Sequence, residues 1–120
     1  MTNELAALAG EEFAYLTTRG RVSGSPHRIE IWFSLQGSTA YLMSGGGEQS
    51  DWVRNLTAQP AVGLEIGKRH FEATARIVSD ASEEQTARQL LAAKYYNWRA
   101  GRPLNRWAAT ALPVAIEIKL

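Results

Sequence analysis

The sequence predicts an α+β fold that is mainly antiparallel β. It has five or six short strands closed into a small barrel, one long helix and one or two short ones. Three observations carry this. Six stretches are rich in aromatic, β-branched or alternating apolar residues, and most are joined by turns too short for parallel crossovers. One run, residues 83–98, repeats its apolar residues at helical spacing. A single substantial helix cannot cover both faces of a flat sheet, so rolling the sheet on itself is the economical way to bury them.

The elements follow in order. Residues 3–10 suit a short helix, with Leu5 and Leu8 on one side. "FAYLTT" (13–18) is a strand, and "RGRVSGSP" (19–26) is a turn punctuated by Gly20, Gly24 and Pro26. "HRIEIWFSL" (27–35) alternates throughout: Ile29, Ile31, Phe33 and Leu35 face one way, Arg28, Glu30, Trp32 and Ser34 the other. Gln36-Gly37-Ser38 turns the chain into a third strand, "TAYLMS" (39–44). Ser50 is placed to cap a helix over 51–58 through its hydroxyl, with Trp52 and Leu56 on one face. Pro60 ends that segment. "AVGLEI" (61–66) and "RHFEATARIVS" (69–79) form a hairpin, and glycine first in the Gly67-Lys68 loop suits a type II′ turn. Ser82 and Gln85 make a capping box for the helix over 83–98, where Ala87, Leu90, Leu91, Lys94, Tyr95 and Trp98 recur at helical spacing. Gly101 and Pro103 stop it, and "LPVAIEIKL" (112–120) is the last strand.

A length of 120 residues fits one domain, residues 1–120. So short a chain buries a modest share of its surface, and self-association would add to it. A formal net charge of +1 argues against general nucleic-acid binding. The charge is nevertheless uneven, because Arg19, Arg21, His27 and Arg28 fall close together. Cysteine is absent, which removes disulfides and thiolate chemistry. "MTNELAALAGEEF" lacks the cationic end and apolar run of a signal peptide, and no apolar stretch approaches membrane-spanning length. A soluble cytoplasmic protein is expected. The two histidines, His27 and His70, sit on different strands, so no metal site is expected; nor is there a G-x-S-x-G nucleophile elbow.

Two segments could carry chemistry. "TTRGRVSGSPHR" gathers guanidinium groups, the hydroxyls of Ser23 and Ser25 and glycine-freed amides in one connection, which suits either an anion-binding nest or an ordinary solvated turn. "SGGGEQSDWVRNL" (44–56) places three glycines before a helix. It suits either a flexible loop or a backbone track for a phosphate or a planar ring. Glu48 and Asp51 beside it read as solvated loop charges. Tyr95 and Trp98 read first as core. Trp52, next to the glycines, would keep one ring face open.

Taken together, "LTTRGRVSGSPHRIEIWF" and "YLMSGGGEQSDWVRNLTAQPAVGLEIGKRHFEATARIV" resemble the deazaflavin-dependent nitroreductase family, whose members are six-stranded split β-barrels related to flavin-binding pyridoxamine-phosphate-oxidase-like proteins. The specific parts are T-T-x-G-R-x-S-G, S-x-G-G, and W-x-x-N-L followed by P-x-V. The resemblance implies a deazaflavin F420 coenzyme, or FMN as the alternative, and hydride transfer to a quinone, nitroaromatic or activated alkene. It also implies a homodimer. By position, Arg21, Ser23 and His27, with Arg28 beside it, fall where the family meets the phosphate and tail. Ser44, Gly45, Gly46 and Gly47 fall where its backbone meets the coenzyme. Trp52 and Asn55 lie on the helix that closes over it, and Ile29, Glu30 and Ile31 lie along the ring system. Tyr95 and Tyr96 are the candidate proton donors. Val22 and Gly45 stand where members often carry a cation, which leaves FMN, or a ligand-binding protein without turnover, as other readings.

Overall fold

The computed structural model describes residues 3–120. Seven strands form one antiparallel sheet: β1 (Ala14–Arg19), β2 (Pro26–Ile31), β3 (Ser34–Gln36), β4 (Thr39–Ser44), β5 (Ala61–Ile66), β6 (Arg69–Ile77) and β7 (Leu112–Ile118). Their order is β2-β1-β5-β6-β7-β4-β3. The helices are α1 (Asn3–Leu8), α2 (Asp51–Ala58), α3 (Ala81–Tyr96) and α4 (Arg106–Thr110). The last of these lies in a stretch where the sequence marks no element.

The strand expected over 27–35 is two strands. β2 pairs with β1 at one edge of the sheet, and β3 pairs with β4 at the other. Only Trp32 and Phe33 separate them. Three Cα steps span about 10 Å at most, so the sheet must roll until its two edges meet at that corner. The barrel is thus closed by the covalent chain there and split along the rest of the seam. This break is why the sheet counts seven strands where six were expected.

Side chains 61 and 62 positions away hold the break open. The Tyr95 hydroxyl accepts the Phe33 N–H at 3.0 Å, and Lys94 Nζ donates to the Phe33 carbonyl at 2.9 Å. Both main-chain groups of Phe33 are therefore satisfied outside any ladder, as a buried peptide requires. Phe33 and Ser34 are both buried. Trp32 lies on the face opposite Phe33, as alternation predicts, and packs there against the helical layer.

The barrel interior joins Leu16, Phe33, Leu42, Leu64, Ile66 and Ile116 to Leu5 of α1 and to Val53 and Leu56 of α2. A second cluster covers the outer face of β4 and β7. There Tyr41, Met43 and Ala115 meet Ala87, Leu91 and Ala92 of α3 and Ala108 of α4.

Three local expectations change. α3 starts at Ala81 rather than 83, because the Asp80 carboxylate, not Ser82, accepts the Glu83 N–H at 2.8 Å. A carboxylate at the cap also favours the positive end of the helix dipole. The Gly67-Lys68 turn has φ of 55° and 71°, positive at both positions, which makes it type I′ rather than II′. Ser50 precedes α2 as expected but caps nothing with its side chain. Its hydroxyl lies 2.6 Å from that of Ser44 instead.

Candidate functional site

The turn after β1 folds over the first turns of α2, and Asn55 is the pin. Asn55 is buried. Its Oδ1 accepts the Arg21 backbone N–H at 3.2 Å and Arg21 Nη1 at 2.7 Å, while its Nδ2 donates to Thr18 Oγ1 at 3.2 Å. Arg21 is thereby fixed at its main chain and at one guanidinium nitrogen. The other nitrogen, Nη2, points to Asp51 Oδ1 at 3.2 Å. Asp51, expected as a solvated loop charge, is 84% exposed at the start of α2 and also pairs with Arg21.

Between this turn and α2 lies a cleft of about 530 Å³, walled by Thr18, Gly20, Arg21, Ser23, His27, Ile29, Asp51, Trp52 and Asn55 among others. Gly20 makes room in it. A Cβ there would lie 2.7 Å from His27 Nε2 and 2.9 Å from Ser23 Oγ, so only glycine lets the imidazole and the hydroxyl converge. Ser23 Oγ also accepts the Ser25 N–H at 3.1 Å, which tightens the turn.

β2 runs out of this cleft. His27, Ile29 and Ile31 are opposite Thr18, Leu16 and Ala14 of β1, which are buried. Arg28 and Glu30 take the other face. Arg28 Nη2 bonds Glu65 Oε1 at 2.9 Å and its guanidinium carbon lies 4.0 Å from the Tyr15 ring centre. Glu30 accepts the Tyr15 hydroxyl at 3.0 Å, and that hydrogen bond raises the Tyr15 pKa above the ordinary phenol range. Arg28 therefore borders the cleft while its charged head belongs to an outer network.

A second cleft, of about 390 Å³, lies further along β2. Its walls are Phe13, Glu30, Ile31, Trp32, Met43, Tyr96 and Trp107. Trp32 organises it. The indole stacks on Tyr95 with centroids 4.3 Å apart and planes 4° apart, and meets Trp107 edge-on at 5.5 Å and 83°. Tyr96 closes the group, 5.8 Å from Trp32.

The glycine run joins the two clefts in the chain, from Met43 on the wall of the second to Asp51 on the wall of the first. Ser44, Gly45, Gly46 and Gly47 themselves stand outside the wall of the first cleft. Ser44 is buried and donates to the Gly47 carbonyl at 2.9 Å. Gly45 lies beneath Trp107, whose indole would be 3.8 Å from a Cβ. At Gly46 a Cβ would come within 2.6 Å of Ser50 Oγ. These glycines thus make a tight corner under an indole ring.

The two tyrosines divide. The Tyr95 hydroxyl is committed: it accepts from Phe33 and its own proton is aimed at Glu12 O (2.7 Å) and Phe33 O (3.0 Å). Burial pushes its pKa up. Tyr96 is 45% exposed on the rim of the aromatic cleft, with no hydrogen bond to its hydroxyl among the described residues. Beneath them, Lys94 Nζ lies 3.7 Å from the Phe33 ring centre, and burial lowers its pKa to about 8.

Arg21, Ser23, His27, Ile29, Trp52 and Asn55 thus share one cleft, Glu30, Ile31 and Tyr96 border the next, and Tyr95 stands behind Trp32. Thr18, Gly20, Asp51 and Trp32 were not singled out as site residues in the sequence. Gly20 alone carried a local signal, as the glycine between the two arginines of the turn.

A family model described as F420H(2)-dependent quinone reductase matches residues 2–118. The fold is shared with a protein of Listeria innocua provisionally named a pyridoxamine 5'-phosphate oxidase: 18% identity, 98% of this chain and 92% of that one, TM-score 0.74. It is also shared with an F420-H2 dependent reductase (18%, 88% and 94%, TM-score 0.67) and with a structure described as a domain-swapped dimer (18%, 88% and 80%, TM-score 0.68).

Proposed function

The chain belongs to the F420H(2)-dependent quinone reductase family, and with that as premise we propose that it reduces a flat, electron-poor small molecule: a quinone, a nitroaromatic or an activated alkene. It is an F420-dependent oxidoreductase, and of the two coenzymes the sequence left open F420 is the one its family uses. The observation that carries the substrate class is that two clefts take successive residues of β2, one polar and the other lined by Trp32, Tyr96 and Trp107.

The residues present fit the coenzyme. Six strand residues of β2 extend roughly 20 Å, long enough to underlie a tricyclic ring and its phosphorylated side chain. Arg21, Ser23 and His27 would hold the phosphate, in the space that Gly20 leaves free. Ile29 and Ile31 offer an apolar floor for the ring system, and Trp52 a wall. The coenzyme supplies the hydride. What the chain adds is position: a planar acceptor in the cleft of Trp32, Tyr96 and Trp107 would be held beside the floor, with water kept from the face it lays against a ring. A proton for the product comes from solvent or from the Tyr96 hydroxyl, the phenol of the pair that is not already bonded. A cytoplasmic location suits a chain without cysteine. Among the described residues no helix is long and apolar enough to cross a membrane.

Fluorescence titration with F420, followed by anaerobic oxidation of the reduced coenzyme with one acceptor of each class, tests this. Micromolar binding and acceptor-dependent oxidation are expected. Binding with no turnover on all three classes overturns the substrate proposal.

We read the assembly as a homodimer. One structure of this fold is described as a domain-swapped dimer, and β2 is an edge strand whose residues are mostly exposed.

A further inference from the structure

A cleft expected to receive an anion has a carboxylate in its wall. Asp51 pairs with Arg21 at 3.2 Å, yet its side chain is 84% exposed, so packing does not dictate an acid there. Nor does Arg21 need it for orientation, because buried Asn55 already holds both its main-chain N–H and Nη1. What Asp51 takes is Nη2, the outward nitrogen. We propose that Asp51 is a built-in competitor for the coenzyme's anionic group: in the free protein its carboxylate fills the place on Arg21 that a phosphate oxygen takes on binding. The proposal rests on the assignment of this cleft to F420.

The exchange is physically easy. An exposed ion pair is weak, because water screens it and two long side chains must be held still. The coenzyme's phosphate offers more than one free oxygen, so it can draw on Ser23 and His27 at the same time as Arg21. A small anion with a single contact gains little by displacing Asp51. A ligand that fills the cleft gains several contacts for the one it breaks. Once displaced, the carboxylate stays at the cleft mouth and repels the bound anion. The residue therefore lowers affinity and hastens release.

The test compares wild type with Asp51→Asn by F420 fluorescence titration, with inorganic phosphate as competitor and melting curves confirming that both fold. Asp51→Asn is expected to bind F420 about threefold to tenfold more tightly, the scale of an exposed charge pair and its repulsive counterpart. Inorganic phosphate should compete at correspondingly lower concentration. In an Arg21→Ala background the same substitution should give most of that gain back, since the competition runs through the guanidinium. Unchanged or weaker binding by Asp51→Asn, or an equal gain without Arg21, overturns the proposal. If neither wild type nor variant binds F420, the assignment of the cleft itself falls, and the competitor with it.

Discussion

Arg21 concentrates the polar end of the site because Asn55 fixes it before any ligand arrives. Replacing it with alanine removes a charge-assisted bond, and binding of F420 should weaken by about 1–3 kcal/mol in a titration. Unchanged affinity would remove Arg21 from the site. Gly20 makes a different demand. Its Cβ would collide with the ends of two side chains rather than with backbone, so Gly20→Ala should fold normally but push His27 and Ser23 apart. A loss of about tenfold in F420 affinity with an unchanged melting temperature is expected, the value of roughly one charge-assisted hydrogen bond. At this scale the sequence was partly legible. Arg21, Ser23 and His27 could be found because a turn brings near neighbours together. Asp51 could not, because its partner lies 30 positions back and is reached only through the tertiary fold.

Among the elements, α3 does two jobs, and both can be measured. Tyr95 on its last turn satisfies the buried N–H of Phe33 at the β2–β3 break. Tyr95→Phe should cost about 1–3 kcal/mol in urea unfolding, the penalty for leaving a buried donor unpaired. Glu83 on its first turn bonds both Nη atoms of Arg76 at 2.7 Å and accepts the Tyr41 hydroxyl, also at 2.7 Å. Arg76, first, and Tyr41, second, hold the Glu83 carboxyl down at about 2 from an ordinary 4.5. A depressed acid stabilises the fold above its unfolded pKa, so this contribution should be intact above pH 4.5 and vanish as pH falls toward 2. Acid melts of wild type should therefore fall through that window more steeply than those of Glu83→Gln. Parallel curves would sink the assignment. Most element positions were legible from alternation and helical spacing: 39–44, 51–58 and 61–66 fall where expected. The break at Trp32 was not, since apolar alternation runs straight through it and the groups that stop the ladder come from α3.

Across the whole molecule, barrel closure followed from counting faces: too few helices for a flat sheet. Which edges meet did not follow, because it depends on where β2 ends. The placing of both clefts along β2 was invisible for the same reason, as Tyr96 and Trp107 reach the aromatic one from distant parts of the chain. An exposed edge strand also bears on assembly. Sedimentation should give twice the chain mass of 13.2 kDa, and a single-chain mass would argue against the dimer.

The junction at Trp32 and Phe33 has a mechanical consequence. Like the clasp of a bracelet, it fastens both rims of the sheet with one short link, and the same link carries the indole against which an acceptor would lie. Motion at either rim is thereby handed directly to the other. A substituent that wedges the rings at Trp32 apart should be felt at Ile29 and His27 without passing through the rest of the barrel.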